Sequence, residues 1–95
     1  MADYLYLIRE DKKRGAIKIG IASNVESRLD TLQIGNPNKL EILLVYKAKS
    51  RKHAFALENW MHRTFKKENI RGEWFKHYID INRITCKLEK DPTGF

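Results

Sequence analysis

The chain of 95 residues suffices for one domain, 1–95, which we divide into a core over 3–90 and a short tail over 91–95. Nineteen Lys and Arg residues against twelve Asp and Glu residues give a formal charge of +7, which favours a polyanionic partner such as nucleic acid. The apolar content of 42% and the single cysteine, Cys86, exclude a disordered chain and an internal disulfide, and no apolar run approaches the ~20 residues that cross a membrane. We therefore expect a folded protein of a reducing cytoplasm, with no membrane partner.

Two short apolar runs, Tyr4–Ile8 and Ala16–Ile21, flank a polar stretch that ends in glycine. Both runs are rich in β-branched and aromatic residues, which predicts a β-hairpin. Side chains alternate along a strand, so the hairpin has two different faces. One face carries Leu5, Leu7, Ile17, Ile19 and Ile21, and the other carries Tyr4, Tyr6, Ala16, Lys18 and Gly20. The second face is either a solvated surface with amphipathic aromatics or a functional surface where two phenols meet an ammonium.

A helix is predicted to follow the hairpin. Ser23 with Glu26 three residues later has the pattern of a capping box. The apolar stripe of this helix consists of Val25, Leu29 and Leu32. Arg28 lies at the border of that stripe and can reach across it. The helix is expected to end at residues 35–38, because proline and the residue before it both resist helical geometry.

The next two elements are a third strand and a longer helix. Residues 40–46 contain four consecutive apolar residues, which is typical of a central strand covered on both faces. Ser50 is placed to cap a helix that runs to about Lys66. The buried stripe of that helix is predicted to be Ala54, Leu57, Met61 and Phe65.

Glu58 breaks the apolar pattern of the second helix. It lies four residues after Ala54 and three before Met61, so it projects from within the apolar stripe. Burying an unpaired carboxylate is costly, so Glu58 should have a cation, a hydrogen-bond network or a metal ion beside it. His62 lies four residues later and is its neighbour on the helix surface. For His62 a structural role and a functional role are equally compatible with the sequence.

The C-terminal part predicts a short strand and a last helix. Residues 70–75 break the preceding helix at Gly72, and Trp74 and Phe75 are expected to close the core. Asp80 is placed to cap the last helix. The apolar positions of that helix are Ile81, Ile84 and Leu88. The elements together predict an α+β fold in the order β-β-α-β-α, with a short extra strand and a C-terminal helix.

Five short motifs occur in order along most of the chain: Tyr4-Leu5-Tyr6, Lys18-Ile19-Gly20, Arg28, Glu58 and Gly72-Glu73-Trp74-Phe75. This ordered set resembles the GIY-YIG endonuclease superfamily, and within it the small phage and bacterial proteins with K-I-G in place of Y-I-G and a G-E-W-F element. The resemblance runs from Tyr4 to Phe75. It implies a small three-stranded antiparallel sheet flanked by helices, which cleaves nucleic-acid phosphodiesters with a divalent metal ion.

The resemblance also implies roles for individual residues. By position it assigns the first-motif tyrosine to Tyr6, the second-motif glycine to Gly20, the helix arginine to Arg28 and the metal-binding glutamate to Glu58. The chain departs from the superfamily at two motif positions, where Tyr4 replaces a glycine and Lys18 replaces a tyrosine. The polar residue often found after the glutamate has Asn69 and Glu73 as its candidates.

The chemistry of these residue types suits a one-metal hydrolase. A free phenol has a pKa near ~10, so Tyr6 is a usable base at pH 7 only if a cation such as Lys18 or Arg28 lowers that pKa. Arg28 offers a planar donor fork to a phosphate. One carboxylate, that of Glu58, suits Mg²⁺ or Mn²⁺, which keep most of their water ligands.

We therefore expect a metal-dependent endonuclease acting on DNA. Its expected catalytic residues are Tyr6, Lys18, Arg28 and Glu58, supported by Tyr4, Gly20 and His62, and a protein partner could supply sequence specificity. Two alternatives stay open at this stage. One is a non-catalytic nucleic-acid-binding module on the same fold, and the other is a phage-type protein-interaction domain that uses exposed aromatics and charge.

Overall fold

The computed structural model describes residues 3–90, so the predicted tail over 91–95 lies outside the described residues. The strands are β1 (Tyr4–Glu10), β2 (Ile17–Ala22), β3 (Leu40–Lys47), β4 (Asn69–Arg71) and β5 (Trp74–Phe75). The helices are α1 (Val25–Ile34), α2 (Arg51–Thr64) and α3 (Ile81–Lys90), with a 3₁₀ turn over Lys66–Glu68. The fold is the expected α+β fold, with five antiparallel strands where three strands and a short extra strand were predicted. None of the helices within 3–90 has the length and apolarity to cross a membrane.

The strands lie in the order β3-β1-β2-β5-β4, so β2 is central and β1 lies between it and the edge strand β3. The hairpin of β1 and β2 has the predicted two faces, since Leu7 pairs with Ile19 and Tyr6 pairs with Gly20. The aliphatic face packs against α2 and α3 in the main core. The other face is also buried, because α1 packs on it through Val25. The interpretation of this face as a solvated surface is therefore wrong, and Tyr6 is fully buried.

The third strand occupies an edge of the sheet, so its predicted central position is wrong. Its run of apolar residues has another cause. Leu44 pairs with Leu7 and Ile42 pairs with Ile8, so Leu43 between them is unpaired and forms a β-bulge. The bulge reverses the alternation of faces at this point, and consecutive apolar residues therefore serve different faces.

The first two helices begin at side-chain caps. In α1 the cap is Asn24, whose Oδ1 accepts a hydrogen bond from the Ser27 amide, rather than the predicted Ser23. In α2 the predicted cap is confirmed, since Ser50 Oγ accepts from the His53 amide. The predicted stripe of α2 is buried at all four positions, Ala54, Leu57, Met61 and Phe65. This stripe presses α2 onto the aliphatic face of the sheet and fixes the direction in which Glu58 points.

Residues 69–75 form a second hairpin rather than one short strand. Its turn contains Gly72 at a φ of +55°, a conformation that favours glycine. The Asn69 amide donates to the carbonyls of Gly72 and Trp74 and holds the turn closed. Because β5 pairs with β2, this hairpin brings Glu73 next to Ile19, whose amide donates to the Glu73 carbonyl at 2.9 Å. The predicted Asp80 cap of α3 is confirmed by a bond from the Arg83 amide.

Candidate active site

The candidate site lies where β1, β2, α2 and the β4–β5 turn meet. Gly20 leaves the room that the Tyr6 ring occupies, because a Cβ at Gly20 would lie 2.6 Å from the Tyr6 hydroxyl oxygen and 3.2 Å from Glu73 Oε1. These distances are shorter than van der Waals contact, so only glycine fits at this position without displacing the ring. Gly20 is thus the point around which Tyr6 and Glu73 come together.

Glu58 enters this site from α2. Its Oε2 atom is buried and has no hydrogen-bond partner, although the sequence predicted a cation, a hydrogen-bond network or a metal ion beside this carboxylate. The neighbours that act on the carboxyl group are Glu73 and Lys18. Burial and the adjacent Glu73 carboxylate raise the pKa of Glu58 from 4.5 to about 7, while the charge of Lys18 opposes the rise. The site therefore holds a carboxyl that changes its charge near neutral pH.

Glu73 was not among the expected catalytic and supporting residues, and the sequence offered it only as one of two candidates for the polar residue after Glu58. Lys18 Nζ lies 2.9 Å from Glu73 Oε1, and this lysine is largely buried. Burial acts to raise the pKa of Glu73, but the hydrogen bond and charge of Lys18 outweigh it and hold the pKa below its ordinary value. Lys18 also lies 5.5 Å from the centre of the Trp74 ring. The ion pair thus keeps Glu73 charged beside a Glu58 that protonates near neutral pH.

The pKa of Tyr6 is shifted in the direction opposite to the expected one. Burial and the Glu73 carboxylate raise it, and the Arg28 guanidinium acts to lower it. Lys18 forms an ion pair with Glu73 instead of acting on the phenol. The prediction that Lys18 lowers the pKa of Tyr6 is therefore wrong. Arg28 approaches the phenol from α1, yet the Tyr6 hydroxyl has no hydrogen-bond partner of regular geometry. Tyr6 is consequently a neutral phenol at pH 7 in the free protein.

The remaining predicted residues lie at different distances from this centre. His62 is half-buried, with its ring edge-on to Phe75 at 4.9 Å and its Nε2 without a partner, and its charge acts on Glu73. Tyr4 lies on the same sheet face as Tyr6 but lines a separate groove of about 400 Å³ between β3 and the start of α1. Of the two candidates for the polar residue after Glu58, Asn69 serves its turn, and Glu73 is the one at the site.

The donor set fits a hard divalent cation that takes few protein ligands. Within residues 3–90, no three His, Cys, Asp or Glu side chains converge as a metal cluster. One carboxylate oxygen of Glu58 is nevertheless buried without a partner, and a second carboxylate lies against it. Mg²⁺ and Mn²⁺ commonly bind through one or two carboxylates and complete their coordination with water and substrate phosphate. The residues present therefore suit such an ion.

The protein is a small α+β domain. Its candidate site combines carboxylates with a lysine and lies where Gly20 leaves room on the sheet. The chain belongs to the T5orf172 domain family, whose profile matches residues 3–88. This family is phage-associated and related to nuclease-type domains, which makes the chain a phage-type, nucleic-acid-related domain. The finer GIY-YIG assignment stays a prediction. No curated protein and no solved structure matches the chain.

Proposed function

We propose that this domain is a metal-dependent endonuclease that hydrolyses phosphodiester bonds of DNA. The observation that carries the proposal is the buried, unpartnered oxygen of Glu58 beside the Tyr6 phenol and the Glu73–Lys18 pair. A structural ion pair would satisfy this oxygen, and a purely structural core would exclude it. Family membership supports the nucleic-acid class of the substrate.

Arg28 is the proposed phosphate-binding residue. It is exposed on α1, acts on the Tyr6 phenol and forms no ion pair with a described carboxylate, so a phosphate would not compete with an acidic side chain for its guanidinium. A guanidinium binds two phosphate oxygens at once and stabilises charge that grows on them during hydrolysis. Arg28 thereby places the phosphate next to the Tyr6 hydroxyl.

Tyr6 is the proposed general base, acting on water. Its raised pKa means that few molecules carry the phenolate at pH 7, and the charge of Arg28 is the influence within the site that favours deprotonation. Glu73 opposes that deprotonation, and Lys18 weakens the opposition by pairing with Glu73. Lys18 therefore acts on the base indirectly, by neutralising a carboxylate.

Glu58 is the proposed metal ligand, with Glu73 as its neighbour. A bound Mg²⁺ or Mn²⁺ would supply Lewis-acid polarisation of the phosphate and a bound water of lowered pKa. The protein's own contribution is to hold the Glu58 carboxylate in a semi-buried position and to keep Glu73 charged through Lys18. Loss of the Glu58 proton above pH 7 prepares the site for a cation.

A non-catalytic nucleic-acid-binding module is the second candidate function. The raised pKa of Tyr6 favours it, because a neutral phenol is a poor base. In that case Arg28 and the basic surface bind phosphates, and the carboxylate pair has no chemical task.

A plasmid-nicking assay separates the two functions. Supercoiled plasmid is incubated at pH 8 with Mg²⁺, with Mn²⁺ or with EDTA, using the parent protein and Glu58→Gln. Glu89→Gln is the matched control, because Glu89 is exposed on α3 and outside the site. Nicking that requires the metal ion and is lost only in Glu58→Gln supports the endonuclease. Binding of the plasmid without nicking under every metal condition supports the binding module and refutes the endonuclease.

A further inference from the structure

One face of α2 carries charged or titratable residues on both sides of Glu58. Arg51 lies seven residues before Glu58 and His62 lies four residues after it. At about 100° per residue these three positions fall within roughly 40° of one another. With a rise of ~1.5 Å per residue, Arg51 lies about 10 Å before Glu58 along the helix and His62 about 6 Å after it. The helix therefore presents an ordered row with the carboxylate between its ends.

A groove of about 580 Å³ lies at the N-terminal end of this row. Arg28 from α1 and Arg51 from α2 both line it, together with Asp3. Neither arginine forms an ion pair with a carboxylate in the described part of the chain. The Arg51 guanidinium lies 5.7 Å from the centre of the exposed Phe55 ring, which restricts where it can point. Two cations against one carboxylate leave this groove net positive.

A second groove, of about 620 Å³, lies at the C-terminal end of the row. It is lined by Asn59, His62, Arg63, Lys66 and Asn69 and by no carboxylate. Arg63 is exposed on the helix, and its Nε donates to the Asn59 carbonyl at 3.4 Å. This groove is therefore cationic and rich in hydrogen-bond donors. His62, which lines the groove, also acts electrostatically on Glu73 of the candidate site.

We propose that the two grooves bind the backbone phosphates of a DNA strand on either side of the cleaved bond, so that α2 is the track along which the strand lies. The inference rests on the proposed function, which places the reacting phosphate beside Glu58. One strand of duplex DNA carries a phosphate about every 3.4 Å along the axis, so the ~16 Å between Arg51 and His62 spans several phosphates. Arg51 holds one flank of the strand, and Arg63 with Lys66 holds the other.

The test measures DNA binding without cleavage. Fluorescence anisotropy with a labelled 20-base-pair duplex in EDTA gives the dissociation constant as a function of salt concentration. Arg51→Ala and Arg63→Ala are compared with Arg83→Ala, a matched control whose arginine is exposed on α3 and lines neither groove. The logarithm of the association constant falls as the logarithm of salt concentration rises. Each groove variant should make this negative slope shallower by about 1, and the control should keep the parent's slope. Circular dichroism checks that all three variants are folded.

The cleavage assay distinguishes failure of the track from failure of the enzyme. If the parent nicks plasmid and both groove variants keep its salt slope, the track is refuted and the endonuclease stands. If the groove variants lose slope while the parent nicks nothing with Mg²⁺ or Mn²⁺, the endonuclease is refuted, and α2 remains a DNA-binding track without a reaction. If the groove variants lose salt slope, and if in the nicking assay their KM rises by a larger factor than their kcat falls, both the track and the endonuclease are supported.

Discussion

Gly20 lies directly opposite Tyr6 in the ladder between β1 and β2, and the Tyr6 hydroxyl occupies the space that a side chain at Gly20 would need. The two residues are therefore one structural unit. The glycine lets the end of the ring approach the neighbouring strand closely, and the phenol then lies near enough to Glu73 and Glu58 to feel their charges. The requirement is steric, because Gly20 itself lies in a regular strand with no positive φ.

Gly20→Ala should destabilise the fold and abolish nicking. The added methyl would meet the Tyr6 hydroxyl at 2.6 Å and its Cζ at 2.8 Å, and a buried aromatic ring has little room to move. We expect a loss of about 1–3 kcal/mol in the free energy of unfolding, measured by urea denaturation. Gly35→Ala is the control, since nothing lies within 4 Å of its added Cβ. Equal stability of the two variants would contradict the steric role of Gly20.

Glu58→Gln should stabilise the protein at pH 8 and have little effect at pH 5. Glu58 titrates at about 7 in the folded protein and near 4.5 when unfolded, so the folded state holds more protons between these values. The free energy of unfolding of the parent protein therefore falls as pH rises through this window. The neutral amide of Glu58→Gln does not titrate, so the variant keeps its stability. After allowance for solvent screening at a half-exposed group, we expect a gain of about 1 kcal/mol at pH 8.

Thermal unfolding of Glu58→Gln and the parent at pH 5 and pH 8, in EDTA, measures this difference. Glu89→Gln again serves as the control, with the same change in charge on α3. Mg²⁺ should raise the melting temperature of the parent at pH 8 and leave that of Glu58→Gln unchanged, because only a state that binds the ion gains stability from it. A lower melting temperature of Glu58→Gln at both pH values would make Glu58 a structural partner instead.

The rate of cleavage should rise with pH well above neutrality. The pKa of Tyr6 is raised, so the phenolate fraction grows about tenfold per pH unit between pH 8 and pH 9.5, after Glu58 has lost its proton. Single-turnover nicking rates with Mg²⁺ should therefore follow a slope near 1 on a logarithmic scale. Tyr6→Phe should remove the activity, while Tyr78→Phe, at an exposed tyrosine, should retain it. A plateau reached by pH 8 would assign the base to another group.

Arg28→Lys should not restore the function of arginine. A lysine keeps the charge that acts on Tyr6, but its ammonium cannot bind two phosphate oxygens in a plane. We expect kcat to fall by roughly tenfold or more, measured at saturating plasmid, since the fork acts on charge that develops in the transition state. Arg83→Lys on α3 is the control. A rate within twofold of the parent would show that charge alone suffices at this position.

Much of the fold followed from local sequence patterns. Strand alternation correctly placed Leu7 with Ile19, because a side chain's face depends only on its position along its own strand. Helical periodicity correctly predicted the buried stripe of α2 and the half-buried place of Glu58 beside it, since both follow from 3.6 residues per turn. The Ser50 cap was local in the same way.

The strand order and the makeup of the site depended on contacts between distant segments. The apolar run around Leu43 suggested a central strand, yet a bulge at an edge explains it, and a bulge is visible only once pairing with β1 is known. Glu73 reached the site because a Gly72 turn and pairing of β5 with β2 carried it there. No local periodicity marks a residue that arrives by a turn.

The residues Tyr6, Lys18 and Glu58 were chosen by the sequence alone, but their electrostatic relationships were decided by the tertiary structure. The sequence predicted that Lys18 would lower the pKa of Tyr6, whereas packing of α1 buries the phenol and Glu73 takes the lysine as its partner. A pKa depends on burial and on every charge within a few ångströms. Both quantities are sums over segments far apart in the chain, so residue spacing determines which groups are available and only the folded protein determines which charges they meet.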